Sequence, residues 1–159
     1  MERIDGDLIQ FAKEGKFDVI VHGCNCFNTM NSGIAKAVKE HYPRAFVSDS
    51  ETKKGDINKL GMYTCGWYDP IVVNAYTQYD YGRDGKERFV YEAFAMVLYK
   101  LKHAWPNSHY GFPAIGQGLA GGDPVRINAM LEKFSQEISV YGGKVTLVIY
   151  DNLSISKNT

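Results

Sequence analysis

The segment Phe17-Asp18-Val19-Ile20-Val21-His22 constrains the fold more than any other part of the chain. Its apolar core is short and β-branched, stops at Gly23, and is followed by a polar loop. That pattern suits a strand buried on both faces, and such a strand requires layers above and below the sheet that contains it. The stretch Asn25 to Gly33 is rich in Asn, Ser and Gly, after which Ile34, Ala35, Ala37 and Val38 resume a helical spacing that ends at Pro43. A strand, a long loop and a helix are therefore expected in that order.

The rest of the chain repeats the alternation. A short strand around Arg3 and Ile4 precedes a turn and helix cap at Gly6-Asp7, with Leu8, Ile9 and Phe11 opening a short helix. Met62 to Trp67 and Ile71 to Tyr76 read as adjacent strands joined at Tyr68-Asp69-Pro70. From Glu87 to His103, Val90, Phe94, Val97, Leu98 and Leu101 recur at three- and four-residue steps, the stripe of an amphipathic helix. Tyr110 to Ile115 reads as a strand, Pro124 to Tyr141 as a helix and Lys144 to Tyr150 as a closing strand. The expected fold is α/β, a sheet covered by helices on both faces, with ligands at the loops that leave the strands' carboxyl ends.

A length of 159 residues at 45% hydrophobic content builds one core without help from metals or disulfides. One domain over 1–152 with a C-terminal tail at 153–159 is expected. Lys plus Arg equals Asp plus Glu at 18 each, so no global field draws the protein to a polyanion. Cys24, Cys26 and Cys65 form an odd set without zinc spacing, which points to a reducing compartment and to the cytoplasm. No stretch has the apolar run of a signal peptide or the length to cross a bilayer, so no membrane association is expected. The basic residues are scattered, and the chain is read as a monomer.

Two loops carry the candidate chemistry. Gly116-Gln117-Gly118-Leu119-Ala120-Gly121 has the spacing GxGxxG between a strand and a helix, so its backbone N–H groups can cradle a pyrophosphate. A nicotinamide-binding unit should carry an acidic residue about 20 residues further on and then several more strands, whereas one more strand is expected here, and glycines that merely permit a tight turn are the competing explanation. Asn31-Ser32-Gly33-Ile34-Ala35 offers a second set of amides at a helix start, with a plain helix cap as the alternative. His22 and Asn25 follow the buried run, where an imidazole can move protons and an amide can hold a hydroxyl. Asp123, before Pro124, is either a helix N-cap or a carboxylate aimed at the ligand, and the two roles can coexist. Tyr76, Tyr79 and Tyr81 offer faces for stacking. Cys24 and Cys26 lack the CxxxxxR spacing of cysteine phosphatases and read as buried small side chains. Neither a P-loop nor an HExxH site occurs, so no metal and no cofactor are expected.

Taken together, Gly6-Asp7-Leu8, Val19 to Asn25, Ser32 to Ala35 and Phe112-Pro113-Ala114-Ile115-Gly116-Gln117-Gly118-Leu119 resemble the macrodomain family in identity, order and spacing, from the N-terminus to about Tyr150. The resemblance implies a three-layer α/β/α sandwich around a mixed sheet of about six strands, and a site for ADP-ribose or ADP-ribose 1''-phosphate. It implies Asp7 on the adenine amine with Leu8 beside it. Ser32, Gly33, Ile34 and Ala35 would line the distal ribose and diphosphate, with Ile115, Gly116, Gln117, Gly118, Leu119 and Ala120 on the other side and Asn25 near the distal ribose. His22-Gly23-Cys24-Asn25-Cys26 looks most like the branch that removes phosphate from ADP-ribose 1''-phosphate, in which a His and an Asp are implicated. Catalysis by His22, Asp123 and Asn25, yielding ADP-ribose and phosphate without a metal, is the leading expectation. The branch that releases ADP-ribosyl groups from ADP-ribosylated protein or nucleic acid carries a Lys where this chain has Gln78, which disfavours that route. Pure recognition of ADP-ribose without turnover is the third reading.

Overall fold

The structure, a computed structural model, describes residues 1–150, so the expected tail at 153–159 lies outside the described residues. Six strands form one mixed sheet: β1 (Glu2–Asp5), β2 (Val19–Cys24), β3 (Tyr63–Gly66), β4 (Ile71–Tyr76), β5 (His109–Phe112) and β6 (Lys144–Ile149). Their order across the sheet is β1-β6-β5-β2-β4-β3, and every neighbouring pair is parallel except β3 with β4. The expected α/β sandwich with a mixed six-stranded sheet is therefore what the chain adopts.

Alternation along the strands divides the core between the two faces. Val19 and Val21, with Val73, Tyr110, Phe112, Val145 and Leu147, pack under α4 (Tyr91–Ala104) and α5 (Pro124–Ser139). On the opposite face Ile20, Val72 and Val148 meet α1 (Leu8–Lys13), Val38 of α2 (Gly33–His41) and Ala45 of α3 (Pro43–Ser50). The stripe on α4 does what its spacing demands, since Phe94, Val97, Leu98 and Leu101 are all buried.

Several boundaries differ from expectation: β5, expected to reach Ile115, ends at Phe112 before Pro113, and three further differences have local reasons. The central strand does not stop at Gly23 but runs on to Cys24, paired with β4 through Cys24↔Tyr76. The amphipathic helix starts at Tyr91 rather than Glu87. Residues before it are held extended: the Arg88 and Phe89 amides donate to the Ala120 carbonyl at 2.7 and 3.1 Å, and Val90 N donates to Thr77 O at 2.7 Å. Pro43 ends one helix but also opens another, α3, which the sequence reading lacked; its fixed φ and missing N–H suit the first helical turn.

The chain passes from β2 to β3 and β4 on one side and returns to β5 on the other. The carboxyl ends of β4, β2 and β5 therefore open beside one another, the place where crevices form in such sheets.

Candidate functional site

A cleft of about 530 Å³ lies over these strand ends, within the range of about 300–1,000 Å³ of small-molecule sites. One wall is the start of α2. Ser32 is the N-cap residue but its side chain makes no capping bond, and the first intrahelical bond runs from Lys36 N to Ser32 O. The amides of Gly33, Ile34 and Ala35 are thus left to a ligand or solvent at the positive end of the helix, and all three residues line the cleft.

The facing wall is the loop after β5. Pro113 ends that strand, and a tight turn follows, closed by Gln117 N to Ala114 O, Gly121 N to Gly118 O and Gly122 N to Gly116 O. Among the described residues, the amides of Gly116, Gly118, Leu119 and Ala120 have no protein acceptor. Gly116 has φ +74 and lies against the Phe89 ring, which a Cβ would strike, so the loop can follow this path only with glycine there. Gly118 is open: nothing lies within 4 Å of where its Cβ would stand.

Gly23, Asn25, Thr29, Thr77 and Gln78 also line the cleft. Asn25 Nδ2 donates to Thr29 Oγ1 at 2.7 Å, and its Oδ1 accepts from the Phe27 amide at 2.8 Å, so the side chain is fixed at the rim. A Cβ on Gly23 would lie 3.0 Å from Thr77 Oγ1, which explains the absence of a side chain there. The segment after Gln78 supplies Tyr81 and Arg83 at the mouth, and Arg88 braces it. Its guanidinium makes a bidentate pair with Asp84 at 2.6 and 2.9 Å and reaches Asp80 at 3.0 Å. The Arg88 hydrogen bonds hold the Asp84 carboxyl well below the usual range.

His22 does not reach the cleft. The ring lies on the face of β2 that carries Ile20, beside Asn74 and α3, 1% exposed, with Nε2 2.6 Å from Asn74 Oδ1. Asn74 Nδ2 donates to Ala45 O and Thr64 Oγ1, so its Oδ1 is the acceptor and His22 Nε2 carries the proton. Burial lowers the imidazole pKa to about 4, and the ring is neutral. Asp123 is also outside: exposed, it caps α5 by accepting from Val125 N at 3.0 Å, the structural alternative of the sequence reading. Asn25 is thus the one of the three expected catalytic residues that the fold brings to the cleft.

Most expected binding residues do converge there: Ser32, Gly33, Ile34 and Ala35 on one wall, Ile115, Gly116, Gly118, Leu119 and Ala120 on the other. Gln117 turns away and donates to Asn128 at 3.2 Å. Asp7 and Leu8 do not line the cleft; Asp7 Oδ1 accepts from Ile9 N and Gln10 N to cap α1, and Leu8 is buried. Thr29 and Arg83 had no signal in the sequence, since each reaches the cleft through a loop path that spacing does not encode. Cys24 and Cys26 are buried free thiols whose pKa burial raises, as inert small side chains should be. No group of three or more metal-ligating side chains is found among the described residues, and none of their helices is long and apolar enough to cross a membrane.

No protein-family model matches the chain. An uncharacterized 17.5 kDa protein from the tk–vs intergenic region of Enterobacteria phage T4 is 31% identical over 147 residues, covering 86% of this chain and 91% of that protein. The macrodomain of Mycobacterium tuberculosis DarG superposes with a TM-score of 0.69 at 21% identity, over 93% of this chain and 96% of that one. The chain has the macrodomain fold. The Trypanosoma brucei macrodomain, solved in complex with ADP-ribose, superposes with a TM-score of 0.64 at 13% identity over 98% of this chain and 65% of that one. By sequence the chain belongs to one family with the phage T4 protein.

Proposed function

We propose that this macrodomain binds the ADP-ribosyl group, with the diphosphate held between the start of α2 and the loop 116–120. One observation carries the reading: free backbone amides line both walls of a single cleft, at residues 33–35 and at Gly116, Gly118, Leu119 and Ala120, with glycines among them that add no side chain to the space between. Oriented amides at a helix start and in a glycine turn favour anions over neutral ligands. Asn25 and Gln78 supply amides for ribose hydroxyls at the β2 and β4 end. The ADP-ribose held by the Trypanosoma brucei macrodomain supports the same ligand class.

Hydrolysis of ADP-ribose 1''-phosphate is a second reading, favoured by Arg83, the one cationic side chain among the described lining residues and suited to a terminal phosphate. Its weakness is the proton chemistry. His22 is buried and Asp123 stands exposed at the start of α5, and neither lines the cleft, so neither is placed to orient water there. Recognition without turnover is the function the geometry supports best.

Gly118→Glu is the direct test, because the position has room and needs no positive φ, while the new carboxylate would stand among the amides. Calorimetry with ADP-ribose should show binding by the wild type and about a hundredfold weaker binding by the variant at unchanged melting temperature. Wild-type protein that fails to bind ADP-ribose would overturn the reading. Release of phosphate from ADP-ribose 1''-phosphate would move the assignment to the second one.

A further inference from the structure

We infer that Lys59, which lies behind the cleft and does not line it, is a positioning residue that sets the path of the loop 25–31. The inference rests on the proposal that the cleft binds the ADP-ribosyl group. Lys59 is 7% exposed, and among the described residues no carboxylate lies within 4.0 Å of its ammonium. A buried cation of this kind is costly unless its protons are taken up by well-placed acceptors. Nζ donates to Asn28 Oδ1 at 2.6 Å and to Thr52 Oγ1 at 2.9 Å, and sits 5.3 Å from the centre of the Tyr76 ring. The nearby carboxyl of Asp49 is engaged elsewhere, accepting from Tyr76 OH at 2.7 Å.

Asn28 is the point on which this acts. It is the described non-glycine residue with a positive φ, +58, a conformation side chains other than Asn and Asp adopt at a cost. Its side chain is clamped at both ends, Oδ1 by Lys59 and Nδ2 by donation to Thr52 O at 2.8 Å. The same loop is tied to its surroundings by Gly55 N to Cys26 O at 2.7 Å and Cys26 N to Tyr79 O at 2.9 Å. Thr29, directly after Asn28, lines the cleft and receives the Asn25 amide, and the chain then enters the N-cap of α2. A turn fixed at Asn28 therefore fixes both Asn25 and the free amides of residues 33–35. Lys59 touches no ligand in this arrangement; its contribution is to keep the binding-competent loop populated.

The test replaces Lys59 by Met, an unbranched apolar side chain that fills similar space, and uses Asn28→Gly as a second variant that keeps the positive φ while removing the acceptor. Melting temperature, ADP-ribose affinity by calorimetry and amide hydrogen exchange are measured on the whole protein. If the competent loop falls to about a tenth of the population, affinity falls about tenfold. The Cys26 and Phe27 amides should exchange faster in both variants while Tyr110 and Leu147, in β5 and β6, keep their protection. Saturating ADP-ribose should return Cys26 and Phe27 to wild-type protection, a rescue that general destabilisation would not give. Unchanged loop exchange in folded Lys59→Met, or faster exchange spread evenly over the sheet, would overturn the inference. A wild type that does not bind ADP-ribose would fail the parent proposal, yet the exchange comparison would still decide the clamp.

Discussion

Replacing His22 by Gln separates a structural imidazole from a catalytic one. Gln places an amide nitrogen near the position of Nε2, so donation to Asn74 is kept while the titrating group is removed. In the folded protein burial holds the His22 pKa at about 4, against 6.5 for the free side chain. Below pH 6.5 the unfolded chain takes up a proton that the folded protein refuses until about pH 4. The stability this residue contributes is therefore whole above pH 6.5 and is lost as pH falls toward 4. At pH 5 the loss is about 2 kcal/mol, rising to about 3 kcal/mol below pH 4. Urea unfolding of wild type and variant at steps from pH 7.5 to 4.5 reads the difference directly. Asp49, whose carboxyl burial raises, acts in the opposite sense, and His109, lowered by burial, in the same sense; both are common to the two proteins and cancel. The wild type should lose about 2 kcal/mol more than the variant between pH 7.5 and 5. Parallel curves would refute the buried, neutral His22 described above.

Asp123→Ala removes the cap on α5 and should cost about 1 kcal/mol in urea unfolding, with ADP-ribose affinity by calorimetry unchanged; a loss of affinity without a loss of stability would return Asp123 to the ligand. Gly66→Ala should destabilise by about 1–3 kcal/mol, because a Cβ there would lie 2.7 Å from the Ala45 amide nitrogen, and backbone cannot give way as a flexible side chain can. Thermal unfolding of that variant checks the close packing of α3 on β3.

The architecture was legible because its signals are periodic. The β-branched run at Val19 to Val21 and the stripe from Phe94 to Leu101 each fix a burial pattern, and each is buried as expected. Both glycine-bearing loops were legible too, since backbone amides at strand and helix ends need no particular side chain to form a site. What the sequence left hidden depends on direction and on extent. The sequence places His22 at a strand end, but two more paired residues carry β2 to Cys24 and leave the ring buried inside the strand rather than at its mouth. Asp123 and Asp7 had two roles open; each caps its helix through Oδ1, and neither lines the cleft. Lys59 had no signal at all, because its contact with Asn28 spans 31 residues and depends on a single positive φ.

The most direct test of the central claim is a titration of ¹⁵N-labelled protein with ADP-ribose, followed amide by amide. The account predicts the largest shifts at residues 33–35 and at Gly116, Gly118, Leu119 and Ala120, together, in one saturable event. Shifts confined to one wall, or absent from both, would contradict a diphosphate held between them.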